Sequence, residues 1–286
     1  MKLSRREWLI GSGAFAMSAP AFAPAPALAV LAQGDKLIPN TRGGYRFLPG
    51  VPFLSLAALP SDGFEIVRAT LRRPRPLSEG LTAIEKYLPE VGRPLHALCG
   101  LELRSGHQTT RAEFAAFNSA YIERMRMAGL LVGDSVPMTR TNVAMAGMGE
   151  HQIYAFSYTV PLSRSEPKPS PTFVVAAVAE VRNLASRPEV VAAGDTSLEG
   201  LRQKTAFVLE ELEGRLRLLG LRLGDVTGTA LYTVYDIHPL MASLILPKLS
   251  EAARIGVQWY HAQPPVVGSE IEVDVRATRM ELTINI

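Results

Sequence analysis

Cysteine is almost absent from this chain: Cys99 is the single one in 286 residues. An intramolecular disulfide is therefore excluded, whatever the redox state of the compartment. An excess of one charge is missing too. Against 30 Lys and Arg stand 27 Asp and Glu, a formal net charge of +3. Removing Lys2, Arg5, Arg6 and Glu7 with the leader described below brings it to about +1. Such a surface carries no strong basic field, which excludes nucleic acid as the expected partner. The five histidines, at 96, 107, 151, 238 and 261, show no metal-ligand spacing. No G-x-S-x-G occurs and no serine has an evident histidine partner, so a nucleophilic triad is not readable. The glycine pair Gly11-Ser-Gly13 belongs to the leader and is no phosphate cradle. The apolar run near the N-terminus is short and broken by Gly and Pro, so no membrane span is expected.

What is present begins with an address. Ser4-Arg5-Arg6-Glu7-Trp8-Leu9 reads as a twin-arginine signal, and Ala27-Leu28-Ala29 as its cleavage site. The expectation is a leader over residues 1–29 and a periplasmic protein that is exported folded. With 47% hydrophobic residues, the remaining chain is long enough for two ordinary cores.

The polar, proline-rich stretch Ser163 to Pro171 divides that chain. On its N-terminal side the patterning predicts strand (Phe64–Leu71), helix (Ser78–Leu88), strand (Leu95–Leu103), helix (Thr110–Ala128) and two strands (Thr139–Met145, Ile153–Val160). On its C-terminal side the same order recurs: strand (Phe173–Val181), helix (Leu198–Leu219), strand (Val226–Val234), a helix from about Pro239, and strands Val257–Ala262 and Glu270–Thr278. Two units are expected, 30–162 and 172–286, in an α+β fold with each mixed sheet backed by two helices. Thr110-x-x-Glu113 and Thr196-x-x-Glu199 read as capping boxes. Leu201, Thr205, Val208, Leu212 and Leu216 mark one buried helical stripe; Phe114, Phe117, Tyr121 and Met125 mark another. The similarity of the segments ending in Gly-Asp at 134 and 225 reflects helix-ending chemistry, because they close different helices of the two units.

The segment from Gly194 to Arg279 resembles the Rid (YjgF-like) family. The Gly220-Leu-Arg-Leu-Gly-Asp-Val226 join, the strand end Tyr232-Thr-Val-Tyr-Asp-Ile237 and Glu270-Ile-Glu272 carry the likeness. In the first unit Phe117-Asn118-x-x-Tyr121 resembles the family's "MN..Y" helix, and Pro137-Met-Thr-Arg140-Thr-Asn-Val143 its "PARTTV" strand with one residue inserted. Leu98–Arg104, Ala155–Pro161 and Trp259–Gly268 make the whole similar to tandem Rid-like proteins of the 2-aminomuconate deaminase type. The resemblance implies two chorismate-mutase-like modules, a trimer-like homo-oligomer, a small carboxylate substrate and no cofactor. It implies hydrolytic deamination of an enamine or imine acid. A non-catalytic carboxylate-binding module and a chorismatase-like hydrolase are the competing classes.

The same resemblance assigns roles. Arg140 matches the arginine that grips the substrate carboxylate, with Asn118 and Tyr121 beside it. In the second unit Ile255 or Gly256 falls where that arginine belongs, Arg254 lies one or two residues away, and Ala242 replaces the asparagine. A one-residue slip in a strand reverses the face, so the second unit is expected to complete the first unit's site rather than form its own. Glu272 is the expected acid that positions water. Glu270 and Asp274 share its strand face by period two and stay open as alternatives. Trp259 and His261 are expected on the cleft wall, where an aromatic face suits a conjugated substrate. Cys99, in an apolar strand, is expected to be buried and inert.

Overall fold

The computed structural model of the chain describes residues 37–162, 170–184 and 186–286. The expected leader lies outside them, as does residue 163–169 of the linker. Three short strands come first: β1 (Ile38–Asn40), β2 (Tyr45–Leu48) and β3 (Ala57–Pro60). The first unit follows as β4 (Phe64–Pro76), α1 (Leu77–Glu90), β5 (Leu98–Ser105), α2 (Arg111–Met127), β6 (Thr139–Ala144) and β7 (Gln152–Pro161). The second is β8 (Phe173–Ala179), a small hairpin of β9 (Val181–Arg182) and β10 (Glu189–Val190), α3 (Leu198–Leu218) and β11 (Gly228–Tyr232). It continues through α4 (His238–Leu240), α5 (Leu246–Leu249), β12 (Gln258–Tyr260) and β13 (Glu272–Ala277), and the chain closes with β14 (Glu281–Ile284).

The α+β architecture is as expected, and the two units share a topology. One sheet contains the order β4-β7-β5-β6, the other β8-β13-β11-β12. In both, the last pair is parallel and the other two are antiparallel. Sheet membership does not follow the division between 162 and 172, however. Strands β1–β3 extend the second unit's sheet, with Ala57 opposite Val175 and Ala58 opposite Val174. Strand β14 runs parallel to β4 at the edge of the first unit's sheet, with Glu281 opposite Arg68. Each half thus lends strands to the other, and pairing across the sheet is a long-range event that local patterning does not report.

Helices cover the outer faces. Leu81, Ile84 and Leu88 of α1 and Tyr121 and Met125 of α2 pack with Leu101, Leu103 and Phe156. Leu201, Val208, Leu212 and Leu216 of α3 pack with Val175, Val273 and Val275. The capping box at Thr110 forms as expected: its hydroxyl accepts from the Glu113 N–H at 3.2 Å and its N–H donates to Glu113 Oε2 at 2.8 Å. At α3 the cap is Ser197 rather than Thr196. The Ser197 hydroxyl accepts from Gly200 N–H, while Asp195 Oδ1 accepts the Ser197 N–H and sets the entry turn one residue later. The helix expected from Pro239 is broken between α4 and α5 by one wide turn, Met241–Ile245. Pro247 has no N–H for the carbonyl four residues earlier, so a regular ladder cannot continue there.

The inner faces of the two sheets meet through polar groups. Within the first sheet Arg68 grips Glu102 with two nitrogens at 2.5 and 2.9 Å; between the sheets Asp274 of β13 accepts from Thr141 of β6, as it does from the Tyr232 hydroxyl of its own sheet, each at 2.9 Å. Breaking one buried charge pair of this kind costs about 3–5 kcal/mol because the other charge is stranded. Cys99 is fully buried beside Tyr45, Ile66 and Val174, and burial pushes its thiol far up, as an inert cysteine requires. The apolar strand Phe173–Ala179 is flanked on both edges within the chain, by β3 and β13.

Candidate functional site

Strand β6 lies at the edge of its sheet, and period two puts Arg140 and Asn142 on one face, toward α2. Asn118 of α2 accepts from Arg140 Nη2 at 2.5 Å. Four rings surround the guanidinium, with Phe53, Phe114, Phe117 and Tyr121 centred 5.0, 5.8, 5.3 and 4.8 Å from its carbon. Such faces hold a cation in place without consuming its N–H groups. Nε and Nη1 of Arg140 accordingly have no acceptor among the described residues. Burial lowers the guanidinium pKa to about 10, against the opposing pull of Tyr121 and Glu272. A buried cation with unspent donors is poised for an anion, and a carboxylate supplies the acceptors it lacks.

Glu272 reaches the same space from the other unit. A cavity of about 530 Å³ is lined by Arg140 and Asn142 of β6, Glu272 of β13, Phe207, Glu211 and Arg215 of α3, and the loop Pro264–Val266. Glu272 is 6% exposed, and its Oε2 has no partner. Its carboxyl is pushed well above the ordinary value of 4.5, first by burial and then by the nearby charges of Asp274 and Glu180. Burial thus favours its acid form, which would make it a proton donor inside a largely apolar enclosure.

The three acids left open by the strand pattern differ in what they touch. Asp274 is spent on Thr141 and Tyr232. Glu270 lies against Lys204 in a buried ion pair, and its N–H donates to Glu180 at 2.5 Å. Neither lines the cavity; Glu272 does.

Cross-unit hydrogen bonds fix the wall. Gln108 Nε2 donates to the carbonyls of Pro264, Val266 and Ser269 at 2.9, 3.1 and 3.0 Å, and Thr109 N–H donates to the Pro265 carbonyl at 2.8 Å. This is the sense in which the second unit completes the first unit's site. Arg140 and Glu272 line one cavity, while Asn118 and Tyr121 touch the Arg140 guanidinium without lining it.

Trp259 and His261 do not join them. Trp259 donates its indole N–H to the Thr233 carbonyl at 2.9 Å, packs edge-on against His238 and is 36% exposed; His261 is exposed, and neither lines the cavity. The strand β12 is only three residues long, and its chain turns immediately after it, with Ala262 N–H bonded to the Tyr260 carbonyl. Alternation beyond Tyr260 therefore loses its meaning. Arg254 spends its guanidinium on the carbonyls of Glu251 and Gly224, outside the cavity. Ile255 ends the helical turn before β12, and Gly256 follows it at φ 80°. The residue matching Arg140 as second in its ladder is Trp259: Arg140 pairs with Leu101, Trp259 with Leu231. Trp259→Phe, His261→Ala and Arg254→Ala are each expected to keep kcat/KM for the site's substrate within about threefold of the parent. A tenfold loss in any of them would return it to the cleft wall.

Two residues were missed. Asn142 is 4% exposed, and both atoms of its amide lack partners. Its position two residues beyond Arg140 was the available signal. Arg215 is 9% exposed and sits directly before Leu216 in the leucine stripe of α3. An arginine inside an apolar helical stripe is itself a signal, because burying it is costly.

The sequence matches the family described as "2-aminomuconate deaminase CnbZ" over residues 37–282. It is 37% identical over 246 residues to a 2-amino-5-chloromuconate deaminase from Comamonas testosteroni, covering 85% of this chain and 96% of that one. Among solved structures it is similar to a chorismatase, at a TM-score of 0.44 and 15% identity over 78% of this chain and 77% of that one. A YjgF-family member from Mycobacterium tuberculosis is similar at a TM-score of 0.23 and 21% identity over 39% of this chain and 81% of that one.

Proposed function

The chain belongs to the 2-aminomuconate deaminase CnbZ family, and from that premise we propose that it hydrolytically deaminates a muconate-type enamine acid in the cavity between its two units. The observation that carries the reading is that Arg140, with its unspent donors, and Glu272, buried with an unpartnered Oε2, line one enclosure. Arg140 binds the carboxylate beside the amino-bearing carbon. Glu272 gives its proton to a carbon of the enamine, which becomes an iminium, and the acid becomes a carboxylate. Water then attacks the iminium carbon while Glu272 takes one of its protons. The resulting carbinolamine receives that proton on nitrogen, the C–N bond breaks, and ammonia leaves. The hydroxyl proton returns to Glu272 as the carbonyl forms. One water is consumed, one ammonia is released, and the acid is regenerated.

Asn142 supports the assignment, since its free amide can accept from the substrate amino group and donate to a carboxylate oxygen. The decisive experiment is ammonia release from 2-aminomuconate by the purified chain. Sustained turnover is expected; tight binding without ammonia would leave a carboxylate-binding protein instead. Turnover of chorismate would move the reading to the hydrolase class.

Tandem Rid-like duplication is part of the same proposal, supported by the common strand order of the two units. So is a trimer-like homo-oligomer. Light scattering at micromolar concentration tests it, and a clean monomer removes it without touching a site lined from one chain. Export is proposed on the Arg5-Arg6 motif and the Ala27-Leu28-Ala29 site. A reporter fused to residues 1–35 should reach the periplasm only with a working twin-arginine translocase. Export unchanged by Arg5→Lys with Arg6→Lys would sink that expectation. Among the described residues no helix is long and apolar enough to cross a membrane.

A further inference from the structure

Arg140 answers one anionic group, yet the cavity holds a second buried arginine from the opposite unit. Arg215 projects from α3, and its hydrogen bond among the described residues is Nη1 to the Ala176 carbonyl at 3.0 Å. No described carboxylate lies within ion-pair distance of it; Glu211 and Glu272 act on it only from farther away. Burial lowers its pKa to about 10, the same value that burial gives Arg140. A guanidinium placed among leucines with neither a paired acid nor free solvation is expensive to keep. Arg182 adds a third positive charge at the cavity lining, exposed, with its guanidinium 5.2 Å from the Phe207 ring centre. Against these stand Glu272, which burial pushes toward its acid form, and the half-buried carboxylate of Glu211. The cavity is positive at two separately anchored points, one on β6 and one on α3.

We propose that Arg215 is a specificity residue that binds a second carboxylate, so that the site selects linear dicarboxylates over monocarboxylates of the same skeleton. The proposal rests on the carboxylate-binding reading of the cavity but not on its chemistry. The test is calorimetric and uses two unreactive probes that share a six-carbon diene, trans,trans-muconate and trans,trans-hexa-2,4-dienoate. The unaltered chain is expected to bind muconate about 10- to 100-fold more tightly, the range of one charge-assisted contact. Arg215→Gln should bring the two affinities within about threefold by weakening muconate alone, and Arg215→Lys should restore part of the difference. Glu211→Gln removes the acid whose charge acts most on Arg215 without touching Arg215's bond to Ala176, and should tighten muconate several-fold while leaving hexadienoate unchanged.

If Arg215→Gln weakens both probes equally, or leaves muconate binding intact, the assignment is overturned. Should Arg215→Gln fail to fold by thermal melting, Glu211→Gln still decides: no selective tightening of muconate overturns it. Muconate selectivity in a chain that releases no ammonia from 2-aminomuconate would end the deaminase reading and leave this one standing. Ammonia release with equal affinity for both probes would do the reverse.

Discussion

Glu272→Gln lowers kcat for ammonia release by about 10²- to 10⁴-fold, the range that a positioned general acid–base contributes, while the affinity for muconate stays within a few-fold. The amide keeps the size and the hydrogen-bonding reach of the acid but can neither give nor retake a proton. Three features of the fold make this the largest expected effect. Glu272 is the member of the acidic strand face that lines the cavity, its Oε2 is unpartnered, and burial raises its pKa well above 4.5.

The pH dependence follows with a definite sign. Because the acid form starts the reaction, kcat/KM of the parent should fall as pH rises through the folded-state pKa of Glu272, which lies above the ordinary 4.5. Stability moves the same way. The native state holds a proton that the unfolded chain has lost, so the contribution is complete below about pH 4.5 and disappears as pH rises through the raised value. Glu272→Gln should therefore melt higher than the parent at neutral pH and lose less stability between pH 5 and pH 8. Some slope remains, because burial also raises Glu180, to about 7, and Asp274. Melting curves across that range, beside initial rates, check both halves. A variant with parental kcat would remove Glu272 from the chemistry, and one that melts lower than the parent at pH 7.5 would overturn the stability half of the expectation.

The second large effect belongs to Arg140. Replacing it with alanine deletes a charge-assisted contact worth about 1.5–3 kcal/mol, which is roughly 10- to 100-fold in binding at 1.4 kcal/mol per tenfold. Both probes of the calorimetric test should weaken, which separates Arg140 from Arg215, whose loss touches the dicarboxylate alone. Arg140→Lys should rescue only in part. A flexible ammonium cannot hold Asn118 and a ligand together as the planar guanidinium does, and it fits less well among the four rings. If Arg140→Ala binds both probes normally, the carboxylate lies elsewhere in the cavity and the site must be rebuilt around Arg215.

How far the sequence reached depends on the range of the interaction being read. Thr110 and Glu113 are three residues apart, and the cap they form was legible because both partners belong to one turn. At α3 the same logic chose Thr196, and the structure uses Ser197, since Asp195 competes for the entry turn within the same few residues. Arg140, Asn118 and Tyr121 were legible through a motif resemblance that encodes a helix packed on a strand. Glu272 was reached as one of three acids with identical periodicity. Choosing among them required Thr141, Tyr232, Lys204 and Glu180, partners up to 133 residues away. Trp259 and His261 were misplaced because alternation assumes that a strand continues, and β12 ends at Tyr260.

The sequence by itself determined the order of the main helices and strands between Phe64 and Thr278, the buried stripe of α3, the isolation of Cys99, and the family to which the chain is similar. These rest on interactions between neighbours along the chain, where a period of two or of 3.6 records which face meets the core. Only the tertiary structure decided that β1–β3 and β14 cross into the opposite sheets, that Gln108 and Thr109 pin the loop at Pro264–Val266, and that Arg140 and Asn142 share one cavity with Glu272 and Arg215. The reason is the closure of the chain on itself. A cavity wall is made of groups that meet only after both sheets have formed, and no local periodicity carries the charge or hydrogen-bond partner that a residue will find there.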